Sequence, residues 1–199
     1  RGQFGEVHLR VRPVERGKGF SFVDAVKGGV IPNQYIPAVE KGVRERLEKG
    51  ILSGNTVVDV EVEVHFGKDH PVDSSEQAFK TAADHAFRKA FALARPALLE
   101  PIVNVEVTAP ASYFGDLSAD MSTRRGHITG MDSLPGNLQS IQAVVPLAEM
   151  LAYASTLKSM TSGQGSFTME FQAYEPVPPN VQQQIVDRYQ KSRAGIEEE

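Results

Sequence analysis

Cysteine and tryptophan are both absent from the 199 residues. Without cysteine there is no disulfide framework, no thiolate metal site and no thiol nucleophile, and the chain suits a reducing compartment. No apolar run approaches the roughly 20 residues that span a bilayer, and the first residues, Arg-Gly-Gln-Phe-Gly, do not read as a signal peptide. A strong basic excess is also missing. Residues 1–95 carry 15 Lys+Arg against 13 Asp+Glu, and residues 96–199 carry 6 against 12, for a net −4. That balance argues against a non-specific nucleic-acid coat and leaves room for docking on shaped RNA through a few local groups. The first residue is not Met and lies in a loop pattern, so a fragment of a longer protein is expected.

What is present is ordinary globular sequence, 41% hydrophobic and 23% charged. Val7, Leu9 and Val11 alternate with polar residues as a half-buried strand, and Phe20, Phe22 and Val26 suggest a second extended piece. Ile36, Val39, Val43 and Leu47 recur at helical spacing, with Pro37 in the first turn and Gly50 at the end. Val58, Val60, Val62, Val64 and Phe66 alternate with Asp59, Glu61, Glu63 and His65, which predicts a strand with one apolar face. Ser74 and Gln77 have capping-box spacing, so a helix is expected to start there, with Asp73 and Glu76 as charges at its positive end. That helix carries Phe79, Ala83, Phe87 and Phe91.

The second half reads strand (Ile102–Val107), helix (Asp116–Arg125), strand (127–132), turn (Leu134–Asn137) and strand (Ile141–Val145). A helix is expected to start at Pro146 and run through Leu147, Met150, Leu151, Ala154 and Leu157, before a last strand at Phe167–Phe171. The order β-α-β-β-α-β is the ferredoxin-like pattern. Val181, Ile185 and Tyr189 predict a C-terminal helix with a frayed end at Glu197–Glu199. The fold class is therefore α+β. The expected division is 1–98, 99–175 and 176–199, the last a helix and tail packing back on the first module.

Catalytic patterns are missing. There is no G-x-x-x-x-G-K-[ST], no G-x-G-x-x-G after a strand, no G-x-S-x-G and no H-E-x-x-H. The five histidines are scattered, and no third ligand accompanies His65 and His70, so no metal and no catalytic residue is assigned. Glu61 and Glu63 read as a solvated strand face rather than as an acid–base pair. Arg124 and Arg125 suit a helix C-terminus, with phosphate binding as the competing role. Three stretches have no packing reason: Gly2-Gln3-Phe4-Gly5, Lys68 to Val72, and KGGVIPNQYIP.

Those stretches, in this order, resemble elongation factor G, the bacterial translocation GTPase. GQFGEV, KGGVIPNQYIPAVEKG and HFGKDHPVDSSEQAFK resemble segments of its fourth domain. LLEPI, STRRG and PLAEMLAYASTLKSMTSGQGSFTMEF resemble its fifth. The resemblance implies an elongated, ribosomal-protein-like α/β module followed by the ferredoxin-like domain and the C-terminal helix. It implies a tip of Gly2, Gln3, Phe4, Gly5, Lys68, Asp69, His70, Pro71, Val72 and Asp73 that meets the tRNA–messenger duplex in the small-subunit decoding region. It further implies that Arg124, Arg125 and Lys158 face rRNA near the large-subunit GTPase centre. The parent would act in the cytoplasm, off the membrane, with GTP and Mg in an upstream G domain and no cofactor in this fragment. There are two departures: the stretch RRGHITGMDSLPGNLQSIQA resembles bacterial paralogues more than the main factor, and His-Pro at 70–71 replaces the more usual His-Asp, which leaves a paralogue's duty in ribosome recycling or stress as the alternative. The alternative from another class is an RNA-processing or phosphotransfer enzyme on a similar α/β fold.

Overall fold

The valine alternation around position 60 becomes the middle strand of a three-stranded sheet in a computed structural model that describes residues 2–197. Strands β1 (Glu6–Pro13), β2 (Phe20–Asp24) and β3 (Val60–Lys68) lie in the order β1-β3-β2. β1 runs antiparallel to β3 and β2 runs parallel to it. A parallel neighbour needs a crossover, and helix α1 (Ile36–Lys49) lies on that connection. Helix α2 (Glu76–Leu93) follows β3. Val39 and Val43 of α1, Phe79, Ala83 and Phe87 of α2, and Val62 and Val64 of β3 are all fully buried in one cluster. The helix faces pack on one side of the sheet because their apolar residues recur every three to four positions.

The other face is charged and internally paired. Arg10 meets Glu63 across the ladder at 3.0 Å, and Arg12 meets Glu61. The hydrogen bond from Arg10 holds the Glu63 carboxyl below its ordinary range. These glutamates are therefore cross-strand ion-pair partners.

The apolar face is shorter than the alternation predicts. Val58 precedes the strand and is 48% exposed, and Phe66 is 36% exposed. The register explains Phe66: His8 faces Phe66 while Leu9 faces Val64, so His65 is an extra residue. A bulge of this kind reverses the side-chain alternation beyond it. Phe66 thereby turns to the outer face, edge-on to His8 at 5.1 Å, and Gly67 turns inward. A Cβ on Gly67 would lie 2.2 Å from the Glu6 carbonyl oxygen and 2.6 Å from Ile31 Cδ1, so only glycine fits there.

The second unit, Ala97–Pro178, is built on β4 (Leu99–Pro110), β5 (His127–Leu134), β6 (Leu138–Pro146) and β7 (Ser166–Pro176). Their order is β5-β6-β4-β7, with every neighbour antiparallel. Helices α3 (Phe114–Thr123) and α4 (Tyr153–Met160) bury Leu117, Met121, Tyr153 and Leu157 against Val103, Val105, Val107, Ile141 and Val145. This is the ferredoxin-like arrangement, and the fold is α+β. The single helix expected from Pro146 is instead a 3-10 turn, Leu147–Met150, followed by the separate α4. Arg124 Nη1 donates to the Glu149 carbonyl at 2.6 Å, the group an unbroken helix would turn towards the Tyr153 amide. Leu151 falls in the break and is 85% exposed.

Helix α5 (Pro179–Glu197) belongs with the first unit, which comprises Arg1–Pro96 and Pro179–Glu199. Gln182 Nε2 donates to the Pro96 carbonyl at 3.2 Å. The Tyr189 ring lies so close to Gly54 that a Cβ there would be 2.9 Å from it. Of the frayed end expected at Glu197–Glu199, Glu198 and Glu199 lie outside the described residues.

Candidate nucleic-acid interface

β3 ends at Lys68, and seven residues separate it from α2. The helix starts one residue later than the capping-box reading places it. Ser75 is the N-cap: its backbone is extended (φ −155°, ψ 165°) and its side chain accepts from the Ala78 amide at 3.1 Å. Gln77 donates to Thr81 Oγ1 rather than back to the cap. Ser74 and Asp73 are thereby released from the helix, and both are used elsewhere.

Ser74 is 5% exposed. Its hydroxyl accepts from the His70 amide at 2.8 Å and donates to the Phe4 carbonyl at 2.9 Å. Its own amide returns to the His70 carbonyl at 3.1 Å. Asp73 continues the join. Its carbonyl accepts from the Phe4 amide at 2.9 Å, and its Oδ1 accepts from the Gly2 amide at 3.1 Å. Both backbone groups of Phe4 are thus held by the 68–75 turn. Gly5 lies against the start of α2, where a Cβ would come 3.1 Å from the Ala78 carbonyl oxygen. Two segments some 70 residues apart in sequence form one surface.

His70 sits on this surface, its side chain about half exposed. Nδ1 accepts from the amides of Val72 and Asp73, each at 3.2 Å. An accepting Nδ1 leaves Nε2 as the ring nitrogen that carries the N–H. The Asp73 Oδ2 lies 3.5 Å from Nδ1. The Phe4 and His70 rings stand 6.2 Å apart at 60°. Gln3, Lys68, Asp69, Pro71 and Val72 are exposed around them, Val72 at 60%.

The stretch KGGVIPNQYIP reaches the same place. Ile31 is fully buried against Gly67. Tyr35 stacks on Phe79 at 4.8 Å and 16°, and its hydroxyl donates to the Ser74 carbonyl at 3.5 Å. Lys27, Gly28, Gly29, Asn33 and Gln34 are exposed on that loop. Sequence reasoning singled out this stretch but drew no site residue from it, and it gave Ser74 only to the helix. The available signal was composition: two serines and an aspartate before a helix, where one cap suffices.

In the second unit, Arg124 and Arg125 are engaged with acidic neighbours. Arg124 Nε donates to Asp120 at 2.8 Å, and its guanidinium lies 4.9 Å from the centre of the Tyr153 ring. Arg125 grips Glu100 through two bonds of 2.7 and 3.0 Å and reaches Glu149 at 3.2 Å. The Glu100 bond first, with Glu149 adding to it, raises the Arg125 pKa above its ordinary value against the opposing effect of burial. Burial, first, and Asp120 push the Tyr153 phenol up to about 12. Lys158 is exposed in the last turn of α4.

Chemically, the surface around His70 offers an imidazole N–H, an ammonium and two aromatic or apolar faces. Among the described residues no cluster of three metal-ligating side chains occurs, and no helix is long and apolar enough to cross a membrane.

Comparison with known proteins gives concordant matches. Residues 1–95 match the family model for elongation factor G, domain IV, and residues 97–185 match that for the elongation factor G C-terminus. A crystal structure from Thermus thermophilus is 42% identical and superimposes with a TM-score of 0.75 over 95% of this chain. The chain spans 28% of that protein's length. With both halves matched, the chain belongs to the elongation factor G family.

Proposed function

We propose that residues 2–5 and 68–73, braced by Ser74, form the tip with which a longer factor touches the tRNA–messenger duplex in the decoding-site A site during GTP-dependent translocation. The observation that carries this reading is the double clamp on Phe4, which fixes two exposed rings at the end of a strand–helix pair. A codon–anticodon duplex is A-form and is recognised by shape, 2′-hydroxyls and phosphates in its shallow minor groove. Nε2–H of His70 and the Lys68 ammonium can donate to such groups without reading bases. A factor that must move every codon has no use for base specificity. The near-balanced charge of the chain fits a small, shaped contact rather than a broad electrostatic one.

GTP and its Mg are assigned to a G domain of the longer protein, and the site of action to the cytoplasm. The ferredoxin-like unit is assigned to the large-subunit GTPase centre. Of its three basic candidates, Lys158 is the exposed one, while Arg124 and Arg125 are held by acidic neighbours. A second reading, ribosome recycling or a stress duty, is favoured by Pro71 following His70 and by the 124–143 stretch. Co-sedimentation tests the ribosomal assignment. The longer protein should pellet with ribosomes in the presence of a non-hydrolysable GTP analogue. Its staying in the supernatant would remove the proposal.

A further inference from the structure

We propose that Ser74, buried and out of reach of any RNA, is the positioning residue of the tip, setting the spacing between the His70 imidazole and the Phe4 ring. The inference rests on the reading of the tip as an RNA contact. Among the described residues, Ser74 is the side chain hydrogen-bonded to the backbone of both ring-bearing residues, accepting from the His70 amide at 2.8 Å and donating to the Phe4 carbonyl at 2.9 Å. A hydroxyl is suited to this because it donates and accepts at one atom. Its exposure of 5% keeps competing water away. Other bonds hold the turn but do not link those two residues through a side chain. Asp73 bonds to Gly2 and Phe4, and the amides of Val72 and Asp73 bond to His70. Without the hydroxyl the two residues lose the side-chain link between their backbones and keep the one through the Asp73 backbone, which accepts from the Phe4 amide and donates to His70 Nδ1. Displacement of a contacting group by about 1 Å is enough to slow a positioned reaction step by up to about a hundredfold. Here we expect about tenfold.

Two readouts separate positioning from simple support. In the 199-residue chain, Ser74→Ala should shift the NMR signals of the His70 imidazole and the Phe4 ring and weaken the cross-relaxation between them, while signals of the second unit stay put. In the longer protein, Ser74→Ala should slow translocation about tenfold, and combining it with His70→Ala should add little to His70→Ala alone, since both act through the same imidazole. Unmoved ring signals, or slowing in the double variant equal to the product of the two single effects, overturn the proposal. If Ser74→Ala fails to fold, Ser74→Cys carries the same readouts, being close in size and a poor donor and acceptor. If His70→Ala itself leaves translocation untouched, the RNA-contact reading fails, and the ring signals alone decide whether Ser74 sets the spacing.

Discussion

His70→Ala in the longer protein is expected to slow tRNA movement at least tenfold while GTP hydrolysis stays near its normal rate. A factor of ten corresponds to about 1.4 kcal/mol of barrier, the size of a single well-placed hydrogen bond to a polar partner. Nε2–H of the half-exposed imidazole is proposed as that bond's donor, and its loss would remove an interaction made as the duplex moves. GTP hydrolysis should be spared because no phosphate-binding motif lies in these residues. The imidazole also shapes its own turn by accepting from Val72 and Asp73. His70→Asn separates the two roles: the Asn side-chain oxygen can take the place of Nδ1 in the turn, as Asx residues do, but offers no group at the position of Nε2. The Asn variant should therefore fold the turn and still translocate slowly. Equal loss of hydrolysis and movement in His70→Ala would mean that the tip acts before hydrolysis. Ribosome splitting with no translocation by the unmodified protein would transfer the account to the recycling reading. Stopped-flow translocation and single-turnover hydrolysis, run side by side, give the answer.

Phe79→Ala is expected to be the most damaging single change to the first unit. Phe79 is fully buried among Val39, Val43, Val62, Val64 and Phe87, and it stacks on Tyr35. Truncating a buried Phe costs about 3–5 kcal/mol, because transfer energy is lost and a cavity remains. For a unit of this size that lowers the melting temperature by roughly 12 °C or more. Tyr35 loses its platform as well, and with it the bond from its hydroxyl to the Ser74 carbonyl, so the third loop should loosen from the tip. Circular dichroism melts of the 199-residue chain, with hydrogen exchange at residues 27–35, check both effects. A loss under about 1 kcal/mol would show that Phe79 is not central to this core.

Much of the fold was readable because its period matched its environment. The valines at 60, 62 and 64 sit on a strand covered on one side only, and the helix of Val39, Val43 and Leu47 buries a single stripe, so a simple alternation survives. The reading failed where long-range bonds override local preference. Phe66 faces outward because a bulge opposite β1 reverses the alternation, and no local pattern announces a bulge. The helix after Pro146 breaks where an arginine 25 residues earlier takes its carbonyl. The tip shows the same limit. Gly2–Gly5 and Lys68–Val72 stood out because they have no packing reason, but their union through Ser74 and Asp73 spans about 70 positions and has no sequence signature. Ser74 looked like a cap because Ser75 beside it offered the same chemistry.

The central claim is that the surface around His70 meets the tRNA–messenger duplex. The most direct measurement is a cryo-electron microscopy reconstruction of the longer protein stalled on a translating ribosome with a non-hydrolysable GTP analogue. The account predicts density for Phe4, Lys68 and His70 in the A site of the decoding region, with His70 Nε2 within hydrogen-bonding distance of a backbone or minor-groove atom of the duplex. Density that puts residues 2–5 and 68–73 in solvent, or against protein, would contradict it.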